Sequence, residues 1–525
     1  MRKPVTDLDN QSFDVAVVGA GANGASTAQH LAAAGFSVLL VDKGDFASGS
    51  SSRSSRLLHC GLRYLAPGGS MWDFARHPNA LGIALRMARQ AMRMRAQIVE
   101  TAPERVEELS FCFPVYRGGA YRPWQVSLAF RLLAALGPSS VPLDYRNITG
   151  PEIGRTPLAR WLRDRDKLAS VAMFREYRYE WAERLVMDAT LDAERLGAAI
   201  RNHTAVSGLE KNGESGWTLT LTDQLRPQDK AQVHARIVLN MAGIWIDRVN
   251  ALAGTGAKRR INGTKGSHIM VRLPPDCAMY GVVTINRLDE PFYMIPWRGM
   301  HFFGPTETLY DGDPDDVRVT DDEIDFLIDE ANHMLPALNL KREHVQYTWA
   351  GVRPLGDDPD FPKGKRSREV HDLASEGMPG VYAMTAGPIM THRSAGPELT
   401  KLVASRIKPS RPAQAPSYAA RRFPDNQNAP PLLDDYTAIK LSDLKHAAQH
   451  EHPADLIDLM FRRVGAGWTQ TMGYGAAEKA AEAVAAEMGW DQARVQEEVR
   501  KYRAYLEHFH GVRPGATARV VQPLA

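Results

Sequence analysis

The sequence predicts an α/β fold built on a Rossmann-type dinucleotide-binding unit, and three observations near its start carry that prediction. Val15 to Val18 is a short apolar run of the kind found in a buried parallel strand. Gly19, Gly21 and Gly24 follow it in G-x-G-x-x-G spacing, and a small-residue helix then runs to Gly35. Val38 to Val41 is a second apolar run, closed by Asp42 about twenty residues beyond the glycines, where a ribose-binding carboxylate belongs. Such glycines let backbone approach a pyrophosphate whose charge sits at the helix N-terminus. The motif alone fits either FAD or NAD.

The chain has 525 residues, enough for two or three domains. Its 44% hydrophobic and 24% charged content belongs to a globular protein, and a net charge of +3 is too small to imply a nucleic-acid partner. Cys60, Cys112 and Cys277 lie far apart with no C-x-x-C, which argues against a disulfide framework or zinc site and fits a reducing, cytoplasmic setting. The first twelve residues lack the apolar core of a secretory signal, and no apolar run reaches membrane-spanning length. The expected protein is soluble or peripheral. His446, His450 and His452 are expected on an exposed helix and are not taken as metal ligands.

Beyond Asp42, Lys43 leads into a serine run, Ser50, Ser51, Ser52, Ser54 and Ser55, broken by Arg53. It can be a flexible loop or a set of hydroxyl and N–H groups facing a pyrophosphate. Next come His59, Gly61, Leu62, Arg63, Tyr64 and Leu65. A serine-rich loop entering His-x-Gly-Leu-Arg-Tyr-Leu resembles the FAD-dependent glycerol-3-phosphate dehydrogenases, within the D-amino-acid-oxidase-like flavoproteins. Four further stretches are similar to that family. Asn240 to Trp245 corresponds to its Asn-Ala-Thr-Gly-x-Trp, with Ala242 for Thr. Lys265 to His268 is its Lys-Gly-x-His, and Gly351 to Leu355 its Gly-Val-Arg-Pro-Leu. Gly387 to Arg393 corresponds to its Gly-Lys-Leu-Thr-Thr-Tyr-Arg, with Pro388 where the family has lysine. A fifth segment, around Gly304 to Pro314, carries Glu307 in place of Asp.

The resemblance implies FAD as cofactor. It implies cofactor contacts at Gly19, Gly21, Asn23, Gly24, Asp42, Lys43, Ser51, Ser52, Ser55, His59, Gly61, Leu62, Val206, Ala242, Gly243, Gly387 and Thr391. Substrate contacts are implied at Arg63, Tyr64, Lys265, His268, Arg353 and Thr391, with His268, Arg63 and Arg353 as the catalytic set. A histidine titrating near neutrality suits a general base, and a guanidinium suits a phosphate or carboxylate. The implied reaction is oxidation of the secondary alcohol of glycerol 3-phosphate, or a related polyol phosphate, with electrons passed to a membrane quinone. The family's lysine helps hold the phosphorylated substrate, so Pro388 means that the charge comes from elsewhere or that the substrate differs. Oxidation of another anionic hydroxy or amino acid, and a non-catalytic flavin-binding membrane partner, are the alternatives.

The expected FAD domain is discontinuous, comprising 13–70, 190–260 and 345–405. Residues 71–189 and 261–344 form a mixed-sheet substrate domain, 406–431 a linker rich in Pro, Ala, Gln and Asn, and 432–510 a C-terminal helical domain. Residues 72–137 and 150–200 are expected to be largely helical, with Arg175 to Arg178 on a cavity wall or, the favoured reading, in a surface turn. Arg86, Arg89 and Arg93 lie opposite Ile83, Met87 and Met94, and Arg122 to Leu136 repeats the theme, so this region either packs on its own domain or lies on the inner face of the cell membrane. Asn212-Gly213 between alternating runs predicts a hairpin, and Thr320 to Glu323 a capping box. A homodimer is compatible with all of this.

Overall fold

The computed structural model describes residues 2–65, 78–156, 158–213, 216–385, 387–512 and 521. Its first sheet is the dinucleotide-binding unit. The strand Ser12–Val18 is central, parallel to Val38–Val41 on one side and to Lys230–Asn240 on the other. Ala199–Arg201 extends the sheet beyond Val38–Val41, and Val381–Thr385 extends it beyond Lys230–Asn240, both in parallel. The four residues of Val38–Val41 are buried throughout, as expected for a parallel strand covered on both faces. The helix Ala22–Ala33 packs on this sheet with Ala182–Arg195 and His392–Ala404. Its small residues permit the approach: Gly24 sits against the carbonyl of Gly19. Thr204–Lys211 and Trp217–Asp223 form the expected hairpin.

The second sheet is mixed and larger. Ile261–Val271 runs antiparallel to Val345–Gly356 along its whole length, pairing Lys265 with Val352 and His268 with Trp349. Val106–Tyr116 runs antiparallel to Leu168–Tyr179 at the other end. Two expectations are corrected here. Residues 150–200 are not mainly helical, because Leu168–Tyr179 is a strand and only Ala182–Arg195 is a long helix. Arg175 to Arg178 is not a surface turn but part of that strand, with Glu176 and Arg178 buried and Glu176 on a cavity wall. This strand is buried on both faces and so lacks the polar–apolar alternation that marks a strand in sequence.

The helix Pro78–Thr101 does expose Arg86, Arg89 and Arg93, but it buries Ala84, Ala88, Ala91 and Met92, and Ile83 stays exposed beside the arginines. Positions 72–77 of the region expected to be helical lie outside the described residues, and within that region Val106–Tyr116 is a strand rather than helix. The helix Pro123–Leu136 buries Val126, Phe130 and Leu133 and exposes Trp124, Leu128 and Leu132. Among the described residues, no helix is long and apolar enough to cross a membrane. Thr320 caps Asp321–Met334 through its side chain, which accepts from the Glu323 N–H. The C-terminal region holds the helices Leu441–His450, Ala477–Met488 and Gln492–His510, with a π-helical turn at Asp458–Arg463.

Candidate active site

A cavity of about 950 Å³ runs between the two sheets and under the C-terminal helices. Its floor is the N-terminus of the helix Ala22–Ala33, where Gly21 is the N-cap and a Cβ would lie 3.2 Å from Ser51 Oγ. That hydroxyl accepts the Ala22 N–H at 2.9 Å. The positive end of the helix dipole therefore faces the cavity, with the Ser51 hydroxyl seated on the first turn. Asp42 closes the second strand and lines the cavity. Its carboxylate accepts the N–H groups of Ala20 (2.7 Å) and Gly44 (2.9 Å). Burial outweighs those bonds and pushes its pKa up to about 6. His203, Val206, Leu252, Pro388, Tyr64, His268 and Arg353 also line the cavity. This donor set and volume fit an extended dinucleotide, the glycine-floored part matching a pyrophosphate.

His268 and Arg353 come from the paired strands Ile261–Val271 and Val345–Gly356. Gly266 makes room for the arginine: a Cβ there would lie 2.6 Å from Arg353 Nη2. His268 is 1% exposed, and its Nε2 is hydrogen-bonded to Ser55 Oγ at 2.9 Å. The ring stacks on Trp349 and meets Phe302 edge-on, its centroid 5.7 Å away. Burial, then the positive charges of Arg353 and Arg56, hold its pKa well below 6.5. The imidazole is therefore neutral at neutral pH. Arg56 is itself fully buried, paired with Glu183 at 2.9 Å and packed over Trp297 and Trp468.

The cavity gathers most residues singled out from the sequence: Gly19, Gly21, Asn23, Asp42, Lys43, Ser51, Ser55, His59, Tyr64, Val206, Ala242, Gly243, Gly387, His268 and Arg353. Others lie off it. Lys265 points to the opposite face of its strand, where its ammonium pairs with Glu323 at 2.7 Å. A strand alternates sides, so Gly266 and His268 share one face and Lys265 the other. Thr391 donates to the Pro388 carbonyl, Ser52 donates to the Gly49 carbonyl, and Gly61 packs on Ala88. Gly24 serves helix packing, and Leu62 lines a neighbouring apolar cavity. The Arg63 side chain lies outside the described residues. Conversely, Arg56, Arg366, Asp455, Asp458, Arg462 and Tyr505 line the main cavity without a sequence signal that marks them.

The neighbouring cavity, about 80 Å³, is walled by apolar side chains including Leu65, Phe111, Val126 and Phe174. It shares Leu57, His59, Pro291 and Tyr293 with the main one.

Fold and cavity together define a dinucleotide-binding protein of the Rossmann type. The profile of the family described as "FAD dependent oxidoreductase" matches residues 14–393. A glycerol-3-phosphate dehydrogenase of Synechocystis sp. is 30% identical over 559 aligned positions, covering 95% of this chain and 97% of that protein. An aerobic glycerol-3-phosphate dehydrogenase of Staphylococcus haemolyticus is 28% identical, covering 77% of this chain and 69% of that one. Among solved structures, the glycerol-3-phosphate dehydrogenase of Bacillus halodurans complexed with FAD superposes with a TM-score of 0.70 at 19% identity, over 96% of both chains. The FAD-bound L-alpha-glycerophosphate oxidase of Mycoplasma pneumoniae gives 0.56 at 16% identity, over 79% of this chain and all of that one. The chain belongs to the FAD-dependent glycerol-3-phosphate dehydrogenase family. It is an oxidoreductase acting on a CH–OH donor, with FAD as its cofactor.

Proposed function

We propose that the donor is glycerol 3-phosphate or a closely related polyol phosphate, oxidised at its secondary alcohol to the ketone. The observation that carries this reading is the placement of a neutral buried His268 and of Arg353 along one cavity wall, in a chain whose relatives are named for that substrate. When bound, FAD supplies the acceptor for the hydride that leaves the carbinol carbon. Arg353 binds the substrate's anionic end, and Tyr64 shapes the pocket beside it. Arg63 is a second candidate for the anion. His268 takes the hydroxyl proton at Nε2, the atom now bonded to Ser55. The aromatic wall of Trp349 and Phe302 keeps water from the imidazole and fixes its plane.

A quinone is the proposed electron acceptor. The apolar cavity beside His59 and Tyr293 would admit an uncharged ring, and the exposed Trp124, Leu128 and Leu132 lie on the same helix as its lining residue Val126. That helix and the arginine face of Pro78–Thr101 are the proposed contact with the inner face of the cell membrane. Pro388, on the cavity wall, favours a second reading, in which another anionic hydroxy or amino acid is the donor.

The test is anaerobic mixing of the purified holoprotein with glycerol 3-phosphate while the oxidised flavin band is followed. Bleaching within seconds is expected. A flavin that dithionite reduces but glycerol 3-phosphate does not would overturn the substrate assignment and leave the second reading.

A further inference from the structure

The turn that follows Asp42 is held from the far end of the chain. Asp45, three residues on, is 1% exposed. Its carboxylate accepts Arg462 Nε, both terminal nitrogens of Arg463 at 2.7 Å, and Asn202 Nδ2 at 2.9 Å. Arg462 also bonds Asp458 at 2.5 Å, and Asp458 bonds His203 Nε2 at 2.9 Å. The loop closes on itself: the His203 N–H donates to the Gly44 carbonyl, and the Thr204 N–H to the Asp42 carbonyl, each at 2.7 Å. On its other side the turn continues to Ser51, whose hydroxyl rests on the helix N-terminus. Thus one buried carboxylate, gripped by two guanidinium groups from the π-helical turn Asp458–Arg463, sits between Asp42 and Ser51. Asp45, Asp458 and Arg462 all line the cofactor cavity.

Asp45, His203 and Asp458 bring ligand-type atoms within 4.8 Å of one another, a spacing a metal ion could use. Here the two arginines occupy the Asp45 oxygens, and a cation beside them would meet two positive charges. The cluster is better matched to holding a backbone turn. Bidentate guanidinium–carboxylate pairs fix orientation as well as distance.

We propose that Arg462 and Arg463 are positioning residues for FAD. Through Asp45 they fix the turn that presents Asp42 and Ser51, so docking of the C-terminal helical region and retention of the cofactor form one linked equilibrium. The inference needs FAD in the cavity but is independent of the substrate. Linkage is reciprocal: what strengthens one strengthens the other equally.

The test compares two conservative changes on the same interface. Arg463→Lys keeps the charge and loses the bidentate grip on Asp45. Arg184→Lys does the same to the adjoining buried pair, Arg184 with Glu451, which meets Arg463 only through backbone carbonyls and lies off the Asp42–Ser51 turn. The readouts are the rate of FAD release from diluted holoprotein and Tm. Arg463→Lys should release FAD at least tenfold faster, with the KM for the donor unchanged. Arg184→Lys should lower Tm comparably while changing FAD release less than twofold. Equal release from both variants, or release from Arg463→Lys within twofold of the parent, overturns the proposal. If Arg463→Lys fails to fold, the unaltered protein decides: saturating FAD should slow hydrogen exchange across residues 458–463, and unchanged exchange there overturns it.

Discussion

The His268 imidazole lies flat against the Trp349 indole, their centroids 4.7 Å apart and their planes 9° from parallel. A ring stacked this way is fixed in plane and shielded from water, which suits a group that must meet a substrate hydroxyl in one orientation. Replacement by Gln keeps a polar side chain and removes the base. His268→Gln should lower kcat by about 10²–10⁴-fold, with FAD content unchanged. Because burial and Arg353 hold the imidazole pKa well below 6.5, the acid limb of kcat/KM that belongs to it should also fall below pH 6.5. A limb at or above 6.5 that disappears in the variant would contradict the assignment.

Arg353 can be disturbed without touching it. A methyl group on Gly266 would lie 2.6 Å from its Nη2, so the guanidinium must move. Gly266→Ala should raise the KM for a phosphorylated donor by about tenfold or more, the loss of a charged hydrogen bond of about 1.5–3 kcal/mol. FAD affinity should stay as it was. Steady-state kinetics on the flavin-saturated variant checks this, and an unchanged KM would remove Arg353 from the anion site.

Pro388 supplies the converse experiment. It lines the cavity with extended backbone, φ −64° and ψ 146°, which lysine adopts readily. Pro388→Lys should add a cation to the wall and lower the KM for glycerol 3-phosphate by about tenfold, about 1.4 kcal/mol. No gain would mean that the anion binds out of reach of this position.

The Arg56–Glu183 pair is fully buried on both sides. Removing one partner leaves the other charge stranded. Arg56→Met should therefore cost about 3–5 kcal/mol of stability, measured by denaturant unfolding of the apoprotein. Adding Glu183→Leu should restore most of it, since an apolar pair of similar volume has no charge to desolvate.

The His301 Nε2–H donates to the Cys277 carbonyl at 2.8 Å, and burial pushes the imidazole pKa down to about 4. The unfolded chain takes up that proton near pH 6.5, whereas the folded chain refuses it until about pH 4. Stability from this group is thus complete above pH 6.5 and falls on acidification, by about 1.4 kcal/mol per pH unit, until about pH 4. Relative to the parent, His301→Gln should show a shallower loss of stability between these limits. Parallel curves for the two proteins would show that His301 does not carry the proton.

What the sequence revealed depended on how local the physics was. The unit from Phe13 to Asp42 was legible because strand, glycine turn, helix and acid follow one another without a break. His268 and Arg353 were legible as motif members, yet their closeness depends on an antiparallel register between segments about eighty residues apart. Lys265 was placed with His268 because they are neighbours in sequence. Strand alternation separates them, and the capping residue Glu323 takes the ammonium instead. The region 150–200 misled because Leu168–Tyr179 is apolar on both faces and has no alternation to announce a strand. Asp45, Arg462 and Arg463 gave no signal at all, since each is an ordinary surface-type residue until a partner some four hundred positions away buries it.

The walls of the main cavity are drawn from positions as early as Val18 and as late as Tyr505. During synthesis, therefore, the nucleotide fold can emerge and collapse long before its pocket is finished. The helix Gln492–His510, which carries Tyr505, must leave the ribosome before those walls are all in place.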